Sequence, residues 1–134
     1  VYQPFGSQRY PDILLIRQNV LIPFETKFSK KSGIKPTWNS NLPHDEGIYI
    51  FGSRGKNDIT FFNGSDIIST HEKKLLVQLV EQQRPLLKSA GAEITDKFSL
   101  YLREMYDQTI ASLTSPNRTE LEQSVINLLK TIEQ

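Results

Sequence analysis

The chain contains no cysteine. Disulfide scaffolds, thiolate metal sites and cysteine nucleophiles are therefore excluded, and the absence fits a reducing compartment. Histidine is scarce: His44 and His71 are the only two, which makes a multi-histidine zinc site or a Ser-His-Asp triad hard to assemble. Any catalysis must lean on carboxylates and lysines. No stretch approaches the roughly 18 to 20 apolar residues of a membrane-spanning helix, and the opening VYQPFGSQRY lacks the basic-then-apolar layout of a signal peptide. A cytoplasmic setting without a membrane partner is expected. Internal repeats and low-complexity tracts are also missing, and Gly52, Gly55 and Gly64 fall in expected hairpin turns that do not match a phosphate-binding loop.

What is present suits one globular domain. There are 134 residues, 37% of them apolar and 23% charged, a size and composition at which a single core can be buried. The first residue is Val1, and a longer parent chain is kept open as an expectation. Net charge is +1, but residues 1 to 44 carry six Lys or Arg against Asp12 and Glu25, a local balance of +4 that leaves −3 for the remainder. Such asymmetry points either to an anionic partner near the N-terminal half or to a solvated basic face.

The pattern reads as strands over 1–68 and helices over 70–134, the grouping of an α/β (α+β) domain with a mixed central β-sheet flanked by helices. Ile13–Ile16 and Val20–Phe28 predict a hairpin turning at Asn19. Residues 29–47, rich in Gly, Pro, Ser and Asn, predict a long loop. Ile48–Phe51 and Asp58–Phe62 predict a second hairpin around 52–57, closed by Asn63-Gly64. Thr70 is the expected cap of a helix bearing Leu75, Leu76, Leu79 and Val80, which Pro85 should kink or end. A further helix is expected from Thr95, with Phe98, Leu102, Met105 and Ile110 as its apolar stripe, ended by Ser115-Pro116. The last helix places Leu121, Val125, Leu128 and Ile132 on one side.

The segment that carries chemistry runs from Tyr10 to Lys27. It sets Asp12 at the start of one apolar strand and Glu25 and Lys27 inside the next. Alternation along a strand projects Glu25 and Lys27 from one face and Phe24, Thr26 and Phe28 from the other. Carboxylates beside apolar strands lose hydration worth several kcal/mol, and a divalent cation compensates for that loss. Asp12 and Glu25 are donors of the type Mg²⁺ or Mn²⁺ prefers, the Thr26 carbonyl can add a third oxygen, and waters complete the octahedron. Lys27 can then bind a phosphate oxygen, orient a water or stabilise transition-state charge. The bland alternative is that Asp12 is a strand-end residue and that Glu25 and Lys27 form a same-face surface ion pair.

Pro11-Asp12 followed, after twelve intervening residues, by Glu25-Thr26-Lys27 resembles the PD-(D/E)xK nuclease superfamily. More narrowly, FGSQRYPDILL and IPFETKFS look like type II restriction endonucleases of bacteria and archaea. The resemblance covers about residues 5 to 62. It implies a restriction endonuclease-like core, Asp12 and Glu25 as metal ligands, Lys27 as the residue positioning the nucleophile, Mg²⁺ as cofactor, double-stranded DNA as substrate and a homodimer as the working form. Three features depart from the family pattern. No acid occurs among residues 1 to 11, Pro23 stands two residues before Glu25, and a Pro/Gly-containing loop follows where many members have a helix.

That loop carries Lys30, Lys31 and Lys35, then Trp38, Asn39, Asn41 and His44. Lysines can neutralise phosphates, Asn can read adenine, and Trp can stack on bases, unless Trp38 is tucked onto the core. Gln8 and Arg9 before the motif, and Arg54 and Lys56 on the second hairpin, are similar candidates for DNA contact. The expected activity is Mg²⁺-dependent hydrolysis of duplex DNA at a specific site. The alternatives are a repair nuclease or junction resolvase with the same core, and a catalytically inactive DNA-binding subunit.

Overall fold

The computed structural model describes residues 9–91, 97 and 103–133. The first apolar run forms β1 (Ile13–Arg17) and the second forms β2 (Val20–Ser29), joined by Gln18 and Asn19. Both turn residues have positive φ, 49° and 63°, as a two-residue turn of the type I′ kind requires to match the twist of its strands. The register pairs Ile13 with Phe24 and Arg17 with Val20. Pro23 is tolerated because β4 joins β2 only from Phe24 onward, so at Pro23 the strand has one neighbour and an open edge.

After β2 the chain passes through the short β3 (Trp38–Asn39) and returns as β4 (Ile48–Ser53), which turns at 54–57 into β5 (Asp58–Asn63). The four long strands form one mixed sheet in the order β1-β2-β4-β5, with β2 and β4 parallel and the outer pairs antiparallel. Gly52 and Ser53 belong to β4, so the second hairpin's loop is shorter than the sequence suggested. A 3-10 turn, Gly64–Asp66, follows β5. A side chain at Gly64 would run into the His44 carbonyl, so glycine is required where this turn packs on the loop before β4.

The helix α1 (Thr70–Gly91) begins on a capping box, with Ser69 N–H donating to Glu72 Oε2 at 2.8 Å and Glu72 N–H donating to Ser69 Oγ at 3.1 Å. Ser69, not Thr70, is therefore the cap. Thr70 is turned outward, where its hydroxyl donates to Asp45, which also holds Lys73 at 2.6 Å. α1 continues through Pro85 to Gly91. Proline deletes one hydrogen bond of the ladder, and a helix of this length survives that loss.

The helix expected from Thr95 is not formed where the chain is described. Met105–Tyr106 is a strand, β6, paired antiparallel with β3, and Ile110 lies in a bend; Thr95, Phe98 and Leu102 fall outside the described residues. The local pull there is the Gln108 side chain. Its Oε1 accepts from the N–H groups of Ile110 and Ala111, while its Nε2 donates to Ala111 O, which closes a bend in place of a helical turn.

The last helix, α2 (Arg118–Glu133), is clamped to β5 by Arg118. That guanidinium donates to both oxygens of Asp58, to Glu122 and to the carbonyls of Ile59 and Leu113. Two apolar clusters flank the sheet. Trp38, Tyr49, Phe51, Phe62, Ile67 and Leu121 build one, and Ile22, Ile48 and Val125, with Phe24 and Phe61 against them, build the other. Each fully buried aromatic contributes roughly 1.5–3 kcal/mol over exposure. Alternation along β4 sends Tyr49 and Phe51 to the first cluster and Ile48 to the second, which fixes the face that Glu25 and Lys27 share.

Candidate active site

The hairpin register determines where the acids meet. Because Ile13 faces Phe24, Asp12 comes beside Glu25 and Thr26 at the open start of β1. Asp12 N–H donates to Glu25 Oε2 at 3.2 Å, and Asp12 Oδ2 accepts from both the backbone N–H and the hydroxyl of Thr26, at 2.8 and 2.6 Å. Thr26 thus holds Asp12 through its own donors.

Glu25 and Lys27 project onto the face of Tyr49 and Phe51, their register partners on β4. Lys27 Nζ stands 4.9 Å from the centroid of Trp38, a cation–π contact that places the ammonium. A polar cavity of about 280 Å³ opens here, with Arg9, Glu25, Lys27, Trp38 and His44 among its walls. Tyr10 stacks on His44 at 3.8 Å, and Tyr49 OH accepts from His44 N–H at 2.8 Å. Burial pushes the Glu25 carboxyl above its usual range, and the nearby Asp12 charge adds to this, while Lys27 and the Asp12 N–H oppose it. Burial likewise raises Tyr10, with the charges of Glu46 and Glu25 in the same direction, and takes Tyr49 to about 12.

Glu25 is desolvated and repelled by Asp12, and a cation held by both would relieve the two penalties; the Asp12 carboxylate, however, is bonded to Thr26 and lies outside the cavity that Glu25 lines. Among the described residues no cluster of three or more His, Asp or Glu side chains forms. The protein would offer two carboxylates, the arrangement in which Mg²⁺ keeps several waters and takes further oxygens from a phosphate.

The candidate DNA contacts divide into three groups. Lys30, Lys31, Arg54 and Lys56 are exposed and are drawn together by their backbones: Arg54 N–H donates to Ser29 O at 2.9 Å, Gly55 N–H to Lys31 O at 2.9 Å, and Ser53 Oγ to Lys31 O at 3.4 Å. Lys35 is engaged elsewhere, in an ion pair with Asp107 at 2.8 Å and a hydrogen bond to Gln108 O. Trp38 is 2% exposed and belongs to the core, so its ring is not a surface for a base; Asn39 beside it is exposed, as is Arg9. Gln8 lies outside the described residues. Tyr10, Tyr49 and His44 are the surroundings of Glu25 that the sequence reading did not assign. Adjacency to Pro11-Asp12 is the signal that finds Tyr10, whereas Tyr49 comes opposite Glu25 only through the parallel pairing of β2 with β4, for which the sequence holds no local signal.

A scan of protein-family models, a search of curated proteins and a search of solved structures each found no match. No helix among the described residues is long and apolar enough to cross a membrane.

Proposed function

We propose that this chain is a metal-dependent endodeoxyribonuclease of the type II restriction kind, built on a restriction endonuclease-like core and acting on double-stranded DNA. One observation carries the reading. Asp12 and Glu25 meet across two paired strands, with Lys27 on Glu25's face of β2 and steadied by Trp38. The alternative of a strand-end Asp12 with a surface ion pair of Glu25 and Lys27 accounts for the Thr26 bonds to Asp12 equally well, but among the described residues Lys27 is turned to Trp38 and forms no ion pair with Glu25.

The reaction the family resemblance implies is in-line attack of water on phosphorus, with cleavage of the bond to the 3′ oxygen and a 5′-phosphate as product. Asp12 and Glu25 would hold Mg²⁺, or Mn²⁺, which supplies charge stabilisation at the phosphate and a more acidic water. Lys27 offers ammonium donors to a phosphate oxygen or to the attacking water. Trp38 limits the positions the ammonium can take, and Thr26 limits those of Asp12. Lys30 and Lys31 just after β2, with Arg54 and Lys56 on the adjoining β4–β5 loop, would neutralise neighbouring phosphates.

The test is digestion of a sequenced plasmid with Mg²⁺, followed by mapping of the ends. Discrete fragments with 5′-phosphates are expected, and Glu25→Gln should lower the rate by about two orders of magnitude or more with folding retained. Undiminished cleavage by Glu25→Gln, or in excess chelator, would remove the assignment.

A further inference from the structure

The second face of the sheet is covered over only part of its area. Val125, Leu129 and Ile132 of α2 pack over Ile48, Phe24 and Phe61. Toward the far end of β2 and β4 that cover stops, and a groove of about 670 Å³ opens. Phe28, Gly52 and Ile59 form one row across three strands there, since Phe28 pairs with Gly52 and Gly52 with Ile59. Phe28 is 64% exposed and Ile59 56%. Gly52 contributes no side chain, and the Phe28 ring leans over it, because an added Cβ would lie 3.3 Å from Phe28 Cδ2. An exposed aromatic ring is thus laid across the sheet.

The surroundings are strongly polarised. Arg54 lines the groove, and Lys30, Lys31 and Lys56 are exposed on the two loops that close its end. The acid on its wall, Asp58, has both oxygens bound by Arg118. An open ring rimmed by cations has the two parts that unpaired nucleic acid requires: a platform for the face of a base and positive charge for the phosphates on either side. A duplex would bury its base faces in its own stack and leave Phe28 unused. A second copy across a two-fold axis would set these cations against their own like.

We propose that this groove binds single-stranded DNA, with Phe28 stacking on one unpaired base and Lys30, Lys31, Arg54 and Lys56 contacting the flanking phosphates. The site goes beyond the cleavage reading and needs neither Asp12 nor Glu25. It meets the catalytic carboxylates at Thr26, which lines the groove and donates to Asp12.

The experiment uses the full chain in excess chelator with a short oligodeoxythymidylate carrying one 2-aminopurine, followed by fluorescence. Stacking should quench the probe. Phe28→Ala should weaken binding roughly ten-fold and abolish the quench, while Phe28→Trp should retain both. Circular dichroism and melting of Phe28→Ala should match the native chain, since the ring is largely exposed. Glu25→Gln should bind the oligonucleotide as the native chain does; a native chain that binds the oligonucleotide but does not cut plasmid sinks the nuclease reading alone, and one that cuts plasmid without binding the oligonucleotide sinks the groove alone. Equal affinity and quench in native chain and Phe28→Ala would overturn the proposal, as would a Phe28→Ala variant that loses only self-association by light scattering.

Discussion

Thr26 is the one exposed residue of β2 whose side chain and backbone both act on the candidate site. Its hydroxyl donates to Asp12 Oδ2 at 2.6 Å and its amide at 2.8 Å, so Thr26→Val keeps the shape and removes one of the two. A hydrogen bond to a charged group is worth roughly 1.5–3 kcal/mol; if Asp12 is a metal ligand, the variant should cleave about ten-fold more slowly, and Thr26→Ser should restore the rate. Equal plasmid cleavage rates for Thr26→Val and the native chain would show that the Asp12 carboxylate needs no anchor. Asp58 permits a second residue-scale prediction. Its carboxyl is held below the usual range first by the Arg118 side chain and then by the Ile59 N–H. A depressed folded value means the stabilisation is fully present above the unfolded value of about 3.9 and is lost as pH falls through the lower folded one. Urea melts should find Asp58→Asn less stable than the native chain at pH 6, and the gap should close as pH drops below about 4. A gap that persists unchanged at pH 2 would contradict the role of the charged pair.

At the scale of elements, β2 and its two neighbouring loops act as a unit. The backbone bonds from Arg54 and Gly55 to Ser29 and Lys31 tie the β4–β5 loop to the end of β2, so cations far apart in sequence present one charged edge. Lys35, held by Asp107 and Gln108, stands outside that edge. Each phosphate neutralised contributes about −0.9 to the slope of log affinity against log salt on duplex DNA. Replacing Lys30, Lys31 and Arg54 together by alanine should therefore flatten the slope by about 2 to 3, and Lys35→Ala alone should leave it nearly unchanged. Titrations of a duplex at several salt concentrations measure both. An unchanged slope in the triple variant would mean that this edge faces away from DNA.

For the whole molecule, symmetric cuts in both strands are made most simply by two copies related by a two-fold axis. α2 divides its apolar residues: Leu121 and Val125 are buried, whereas Leu128 is 41% exposed. Leu128 is thus the stripe position open to a second copy. Light scattering on the chain with a cognate duplex should report a dimer, and Leu128→Lys should weaken it while leaving the melting temperature within a few degrees. A strict monomer with and without DNA would exclude this assembly.

How the molecule divides between local and distant causes can be read residue by residue. The two hairpins and α2 were legible because strand alternation, the Gln18-Asn19 turn and the spacing of Leu121 and Val125 act over a few neighbouring residues. The approach of Asp12 to Glu25 was legible only in part: the sequence placed the turn at Asn19, but the two-residue form of that turn, which fixes the register that brings them together, was not read from it. The parallel pairing of β2 with β4, the pairing of Met105–Tyr106 with Trp38–Asn39 and the burial of Trp38 were not legible. Nor was the partnership of Lys35 with Asp107, 72 residues away. Met105 stands three residues after Leu102 in the sequence, a helical step that loses to a strand partner, and Ile110 falls in the Gln108 bend. Local patterns set which backbone conformations are favourable, but a buried face or a charged side chain is satisfied by whichever distant group reaches it, and only the tertiary fold decides which group that is.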